Sequence, residues 1–385
     1  MFYFFSLILI SASLFGSSAF APSKLCKKCH PLIYKEYSQS MHKKSSIYND
    51  PVHKAIWLKH PLRKKSEYEC AVCHTPSDTS LIKALKEKKP ALPKPNEIQM
   101  NEPIGCATCH RIESIERHTK QNSNVYSQKR KYYYAAKNGK RVDKVLKFQS
   151  KSSFFGLTHD IEGSPFHTID YSNGGFSDGK ICLGCHDHKR NEKKLAICSM
   201  DIKKSDKDRN NCITCHMPQV QGSFTTIVKS RTHAYHGFAG LHTNPGLLSK
   251  SIDLKAKSGD KGLSITIENG ADHKLFAHPL RLAQLRVQID RNGETIKLEP
   301  VNFFTILGKG GKPAMPWSAD SILKQNVIKA HEKRRIDIAF TPRKGDEVHV
   351  TLGYYIVNPK AAKKLGITRK DLMTFRTLVS RSFLF

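Results

Sequence analysis

Acidic residues are scarce in this chain. Its 385 residues hold 33 Asp+Glu against 64 Lys+Arg, a formal net charge of +31. Such an excess suits an anionic partner: nucleic acid, an acidic membrane surface or an acidic protein. The basic residues are not gathered into one arm but run along the whole chain. Methionine is scarce too, with seven residues including Met1. Cysteine is absent after Cys215, which excludes a disulfide framework in the C-terminal part. Long apolar runs are missing beyond the first residues. A membrane-spanning helix needs about 20 apolar residues, so none is expected there.

The N-terminus reads MFYFFSLILISASLFGSSAFAPSK. Phe2 to Phe15 is an apolar run of signal-peptide length, although no Lys or Arg precedes it. Ser17 and Ala19 are small residues placed for cleavage after Ala19. A cut after Ala21 would put Pro22 next, which is disfavoured. Residues 1–21 are read as a cleaved signal peptide, with an uncleaved anchor as the alternative. The mature protein is then exported to the periplasm, which argues against a nucleic-acid partner.

What is abundant is cysteine and histidine, eleven and nineteen residues. The pattern C-x-x-C-H occurs five times. The first copy is Cys26, Cys29 and His30; the second is Cys70, Cys73 and His74; the third is Cys106, Cys109 and His110. The fourth is Cys182, Cys185 and His186, and the fifth is Cys212, Cys215 and His216. Chance would supply about 0.02 such motifs at this composition, and the motif is that of c-type haem attachment. Two thiols add to the two vinyl groups of one haem. The next residue, histidine, lies under the iron as proximal ligand. Structural zinc does not require a histidine after every pair. A thioredoxin-like C-x-x-C occurs once, and disulfides would not place five histidines. The expected cofactors are five covalently bound haem c groups, each with its iron. Cys198 is left over and reads as a buried thiol acting as a small hydrophobe.

Electron-transfer haems fill both axial positions, and an open position admits a substrate. With methionine scarce, histidine is the expected second ligand. Fourteen histidines remain for at most five positions.

Several stretches carry a family likeness: CKKCHPLIYKEYSQSMH, GSPFHTIDYSNGGFSDGKICLGCH, CITCHMPQV with HAYHGFAGLH, and IENGADHKLFAHPLR. The chain resembles the multihaem cytochrome c family that includes the tetrahaem cytochrome of ammonia-oxidising bacteria, and larger relatives with a β-rich C-terminal domain. The likeness covers most of residues 24–385. It implies that His42 caps a later haem and that His118 caps the first. It points to His167, His236 and His273 as further distal ligands. Asp272 stands where relatives carry glycine, which leaves His278 as a competitor of His273. The likeness also implies that the second haem, on Cys70, Cys73 and His74, is open, although His53 and His60 lie close enough in sequence to close it.

The expected fold class is α+β. Residues 22–245 form a haem-cored domain of short helices and loops. Residues 246–385 form a β-sandwich-like domain, since LSITIENG, LAQLRVQIDRNGETIKLEP, RRIDIAF and EVHVTLGYYIVN alternate apolar and polar residues. Asn138-Gly139 and Asn292-Gly293 are hairpin signals. KALKEKKPALPKPNEIQMNEPIG reads as an extended surface connection. KRKYYYAAKNGKRVDKVLKF reads as a solvated basic hairpin or as a docking arm for an acidic redox partner.

Three functions follow. The first is an exported electron carrier between a redox protein with an acidic docking surface and, as one option, a quinol-linked membrane donor. The second is an oxidoreductase acting on a small nitrogen or sulfur species at an open haem. The attachment variant C-x-x-C-K and an extra tyrosine beside a motif are both missing, which weighs against it. The third is a scaffold that docks through its β domain.

Overall fold

The computed structural model describes residues 20–152, 159–202, 211–260 and 262–385. Of the segment 1–21 read from the sequence as a signal peptide, residues 1–19 lie outside the described residues. No described helix is long and apolar enough to cross a membrane.

Up to about residue 216 short helices and loops carry the motifs, with short strands between Ile112 and Ser199. The longest helices, Pro31–Gln39 and Pro51–Lys59, have nine residues each. Isolated helices of that length do not stand alone in water. Each is started by chemistry legible in the sequence. Pro31 and Pro51 occupy the first turn, where the missing N–H costs nothing. Asp50 accepts from Val52 N at 2.9 Å and Asp78 from Leu81 N at 2.9 Å. Asn211 and Thr214 form a capping box that opens the helix Cys212–His216. Apolar packing here is thin. A small cluster joins Ile47, Trp57, Tyr68, Ala71 and Leu81.

From Ile252 onward the chain is strand-rich. Ile252–Gly259, Gly262–Asn269 and Lys333–Ile338 make one antiparallel sheet. Leu282–Arg291 is the hub of a second: it pairs with Glu294–Lys297, Val301–Phe303 and Glu347–Tyr355, and the last pairs with Arg376–Leu384. Along Leu282–Arg291 burial alternates, with Ala283, Leu285, Val287 and Ile289 inside. These side chains join Leu263, Ile265 and Ile267 of the first sheet in one apolar core. Burying one such side chain contributes about 1.5–3 kcal/mol, so the strand-rich part carries most of the hydrophobic stabilisation. A third, small sheet orders Lys312–Pro313, Thr305–Lys309 and Ser321–Gln325. The arrangement is the expected α+β class. Asn292 and Gly293 both have positive φ, 50° and 84°, and close the expected hairpin.

The basic insert differs from expectation. Asn138 and Gly139 do form the turn, with Lys137 bridging Lys140. Its two arms do not pair with each other, however. Thr168–Asp170 lies between Tyr132–Tyr134, which it meets in parallel, and Val145–Leu146. The connection between the second and third motifs is not extended throughout, since Thr79–Lys86 and Ile98–Asn101 are helical.

The two parts touch through several bonds. Tyr354 donates its hydroxyl to Leu241 O at 2.6 Å. Asn191 Nδ2 donates to Pro316 O and Ala319 O, both at 2.7 Å. Ala55 joins the strand-rich core.

Candidate haem centres

Each C-x-x-C-H motif lies on or beside a single helical turn. Residues i and i+3 of a helix share a face, so both thiols point toward one edge of a macrocycle and the histidine follows beneath. The turn is held by its own backbone: His30 N donates to Cys26 O at 2.8 Å, and His74 N to Cys70 O at 2.9 Å. Gly184, inside the fourth motif, is required by close approach, because a Cβ there would overlap the amide of Asn124. None of the eleven cysteines is in a disulfide.

The first motif differs from the third and fifth, which are helical from first cysteine to histidine. Its helix, Ser23–Cys26, ends at the first cysteine, and Cys29 stands in the turn beyond. Cys29 N still donates to Cys26 O at 3.2 Å, so the two half-buried cysteines stay one turn apart. The Cys29 carbonyl accepts from Thr226 N at 2.9 Å, which ties this motif to a loop almost 200 residues downstream. In the fifth motif Cys215 N donates to Asn211 O at 3.2 Å, inside the capped turn.

The motifs also meet one another. The Cys26 and Cys106 side chains are in hydrogen-bond contact, as are Cys73 and Cys185, and Cys182 and Cys212. Cys109 lies within electrostatic reach of Cys182 and Cys185. The first, third and fourth motifs therefore form a row, with the second and fifth beside the fourth.

Two imidazoles that share one iron must keep their ring centres about 6 Å apart, because each nitrogen–metal bond is about 2 Å long and each ring adds its own half-width. Four pairs show that spacing. His30 and His167 are 6.4 Å apart, His42 and His186 6.0 Å, His110 and His236 6.2 Å, and His216 and His273 6.1 Å. Four of the five proximal histidines thus face a second imidazole.

The hydrogen bonds fix which ring nitrogen carries the proton. A carbonyl only accepts, so a ring nitrogen against it must be N–H. His30 Nδ1 donates to Phe224 O at 2.6 Å, His110 Nδ1 to Tyr134 O at 2.7 Å, and His216 Nδ1 to Ala239 O at 2.5 Å. His236 Nδ1 donates to Ala234 O at 2.6 Å and His273 Nδ1 to Lys274 O at 3.1 Å. In each case the Nε2 lone pair is left for a metal, the usual outer-shell arrangement of a ligating histidine. Burial pushes His42 and His236 down to about 3, keeping both neutral. The ring of Phe238 packs against His42 at 4.1 Å.

His278 has the opposite polarity. Its Nδ1 accepts from Leu280 N at 3.2 Å, so the proton sits on Nε2. Between His273 and His278, the structure brings the first to a proximal histidine and uses the second as a backbone cap.

His118 is not placed opposite His30, where the family likeness had put it. That position is held by His167. His118 lies two residues beyond the strand Ile112–Glu116, its side chain 55% exposed and 3.6 Å from Glu116 Oε2. Its carbonyl accepts from His188 Nε2 at 2.8 Å. A short strand pair with Ser123–Tyr126 holds it at the surface.

His74 stands apart from the other proximal histidines. Its ring neighbour is His53, at 4.0 Å, too close for an iron between them. The Nδ1 atoms of both rings face the same acceptor, Ser45 O, at 3.0 and 3.3 Å. His53 is therefore on the proximal side of this centre, and its Nε2 faces the Tyr68 hydroxyl at 3.3 Å. His60 Nδ1 accepts from Leu62 N at 3.2 Å, the same His-Pro-Leu cap as at His278. Its ring packs on Trp317 at 4.9 Å. Among the described residues, no imidazole faces His74 at the 6 Å spacing.

Sequence reasoning did not find the carbonyls of Ser45, Phe224, Tyr134 and Ala239, since no side-chain identity marks them. Cys198 is exposed by area rather than buried. It lies opposite Lys189 in the hairpin His188–Ser199, and the surrounding protein raises its thiol pKa.

The model of one family, cytochrome c554 and c-prime, matches residues 25–111. Among solved structures the chain is similar to a penta-haem cytochrome c552 from Thermochromatium tepidum. Identity is 20%, the TM-score is 0.68, and the match covers 95% of this chain and 99% of that chain. No curated protein matches. The chain thus carries five c-type haem attachment motifs on a fold similar to that of this penta-haem cytochrome. Its donor set fits five covalently attached haems: two thiols and a proximal histidine for each, with a second neutral imidazole at four of them.

Proposed function

We propose that this cytochrome is an electron carrier of the periplasm, exported by the signal peptide at residues 1–21. The four imidazole pairs at 6.0–6.4 Å carry this reading. A haem iron held between two imidazoles exchanges one electron between ferric and ferrous states with no vacant position for a substrate. The chain's part is to fix the rings. Backbone carbonyls orient His30, His110 and His216, and burial keeps His42 and His236 neutral. His42, His167, His236 and His273 are the distal ligands in this reading, and His118 is a surface residue. The haem-bearing unit is residues 22–245, with 246–385 packed beside it and lending His273.

The partner in this reading is an acidic redox protein. A quinol-linked membrane donor lies upstream. Ten haem propionates would lower the formal charge of +31 to about +21, which still leaves a strongly cationic surface.

One observation favours a second activity. Among the described residues no imidazole faces His74 at the 6 Å spacing, and in this second reading the second haem takes a small ligand on its distal side. There a nitrogen or sulfur species would be reduced or oxidised.

A reductive titration of the five-haem protein separates these. A carrier takes up five electrons per chain reversibly and leaves nitrite, hydroxylamine or sulfite unconsumed under continuous reductant supply. Sustained consumption of one of them would replace the carrier reading by the second.

A further inference from the structure

A strongly cationic surface belongs to the insert between the third and fourth motifs. Residues 128–151 carry nine cations, Lys129, Arg130, Lys131, Lys137, Lys140, Arg141, Lys144, Lys147 and Lys151, against one carboxylate, Asp143. All nine are exposed. Two are offset by ion pairs, Arg141 with Asp143 at 2.8 Å and Lys144 with Glu162. The fold brings Glu162 within electrostatic reach of Lys137 and Lys151 as well, and Asp170 within reach of Lys129, which reduces the excess but leaves it cationic. The turn at Asn138-Gly139 lies open, with nothing within 4 Å of a Cβ on Gly139.

The root of this lobe is in contact with the ligands of two haem centres. Tyr134 gives its carbonyl to His110 Nδ1 at 2.7 Å. Tyr133 packs edge-on against His167 at 5.3 Å. Tyr132–Tyr134 pairs in parallel with Thr168–Asp170, the segment that follows His167. Val142 N donates to Tyr171 O at 3.1 Å. The lobe is thus anchored at the first and third centres, the end of the motif row away from the fifth centre and its ligand His273.

We propose that the lobe formed by residues 128–151 is the docking surface for an acidic one-electron carrier protein, which exchanges electrons with the molecule at the first and third haems. The inference rests on the carrier reading above and adds the place of entry and the chemistry of the partner. Charge complementarity argues for the occupant. A cationic surface of this density attracts a carboxylate-rimmed protein from beyond contact range and orients it before contact. The attraction fades once added salt shortens the screening length to about 8 Å or less. Each encounter moves one electron from partner to haem iron or back, with no bond made or broken.

The test uses the five-haem protein and a reduced acidic flavodoxin as probe, with reduction followed by stopped flow. In one variant Lys137, Lys140, Lys147 and Lys151 are changed to Glu; a milder one carries Gln at the same four positions, in case the reversal impairs folding. A control carries the same charge reversal at exposed Lys309, Lys312, Lys344 and Lys360 of the strand-rich part. The expected result is a rate about tenfold or more lower in the lobe variant at low salt, a smaller loss with Gln, a flattened salt dependence, and a control close to the unmodified protein. Equal losses in lobe and control variants, or no loss in either, would overturn the proposal. Dithionite must reduce all variants alike. If it does and the flavodoxin reduces none, the unmodified protein included, the docking proposal falls. The carrier reading is judged separately, by the reductive titration.

Discussion

A histidine ring serves an iron only through a nitrogen that carries no proton, and the group on its other nitrogen decides which one that is. His30, His110, His216, His236 and His273 each face a carbonyl with Nδ1 and are set for binding through Nε2. His60 and His278 accept a backbone N–H two residues on and are set against it. The His-Pro-Leu sequence shared by these two was visible in the chain, and its meaning became plain only with the hydrogen bonds. The same logic separates His167 from His118. His167→Ala is expected to convert one low-spin haem to high spin in the optical spectrum. His118→Ala is expected to leave the spin states unchanged, and the reverse pattern would restore His118 as a ligand. The proximal residues were legible because their chemistry is local, five residues long. The first centre's distal side was not, since His167 lies far from His30 in sequence and the carbonyl that orients His30 belongs to Phe224, 194 residues away.

Among the elements, the strands were the more legible, because alternation along Leu282–Arg291 and Glu347–Tyr355 directly reports which face is buried. The pairing of Tyr132–Tyr134 was not legible. The Asn-Gly turn predicts two adjacent arms, and tertiary packing inserts Thr168–Asp170 between them. One clamp ties the ends of the main sheet. Arg291 donates from Nε and Nη2 to Asp346 at 2.8 and 2.7 Å, and Arg343 N donates to the same carboxylate at 2.8 Å. The Arg291 hydrogen bonds lower the Asp346 pKa from 3.8 to about 2. The unfolded carboxyl takes up its proton near 3.8 and the folded one near 2. The clamp's stabilisation is therefore complete above about pH 4 and lost as pH falls toward 2. Asp346→Asn should lower the melting temperature most at about pH 5, with the gap to the unmodified protein closing toward about pH 2. A gap that stays constant with pH would show that Asp346 acts by shape alone.

At the scale of the whole molecule, the two parts are held by different means. The strand-rich part has an apolar core of its own. In the N-terminal part, short capped helices surround motifs whose cysteines meet in a row, and its apolar cluster is small. A sequence with five C-x-x-C-H motifs signals that haems fill this role, but not their order. The order comes from contacts such as Cys26 with Cys106, far apart in the chain. His273 crosses from the strand-rich part to face His216, so the two parts also meet at this imidazole pair. The central claim is that four irons lie between paired imidazoles and that the iron above His74 does not. Electron paramagnetic resonance of the oxidised five-haem protein, with and without cyanide or nitric oxide, tests it most directly. The account predicts four low-spin signals that ignore the added ligand and one high-spin signal that shifts with it. Five low-spin signals, all indifferent to the ligand, would contradict it.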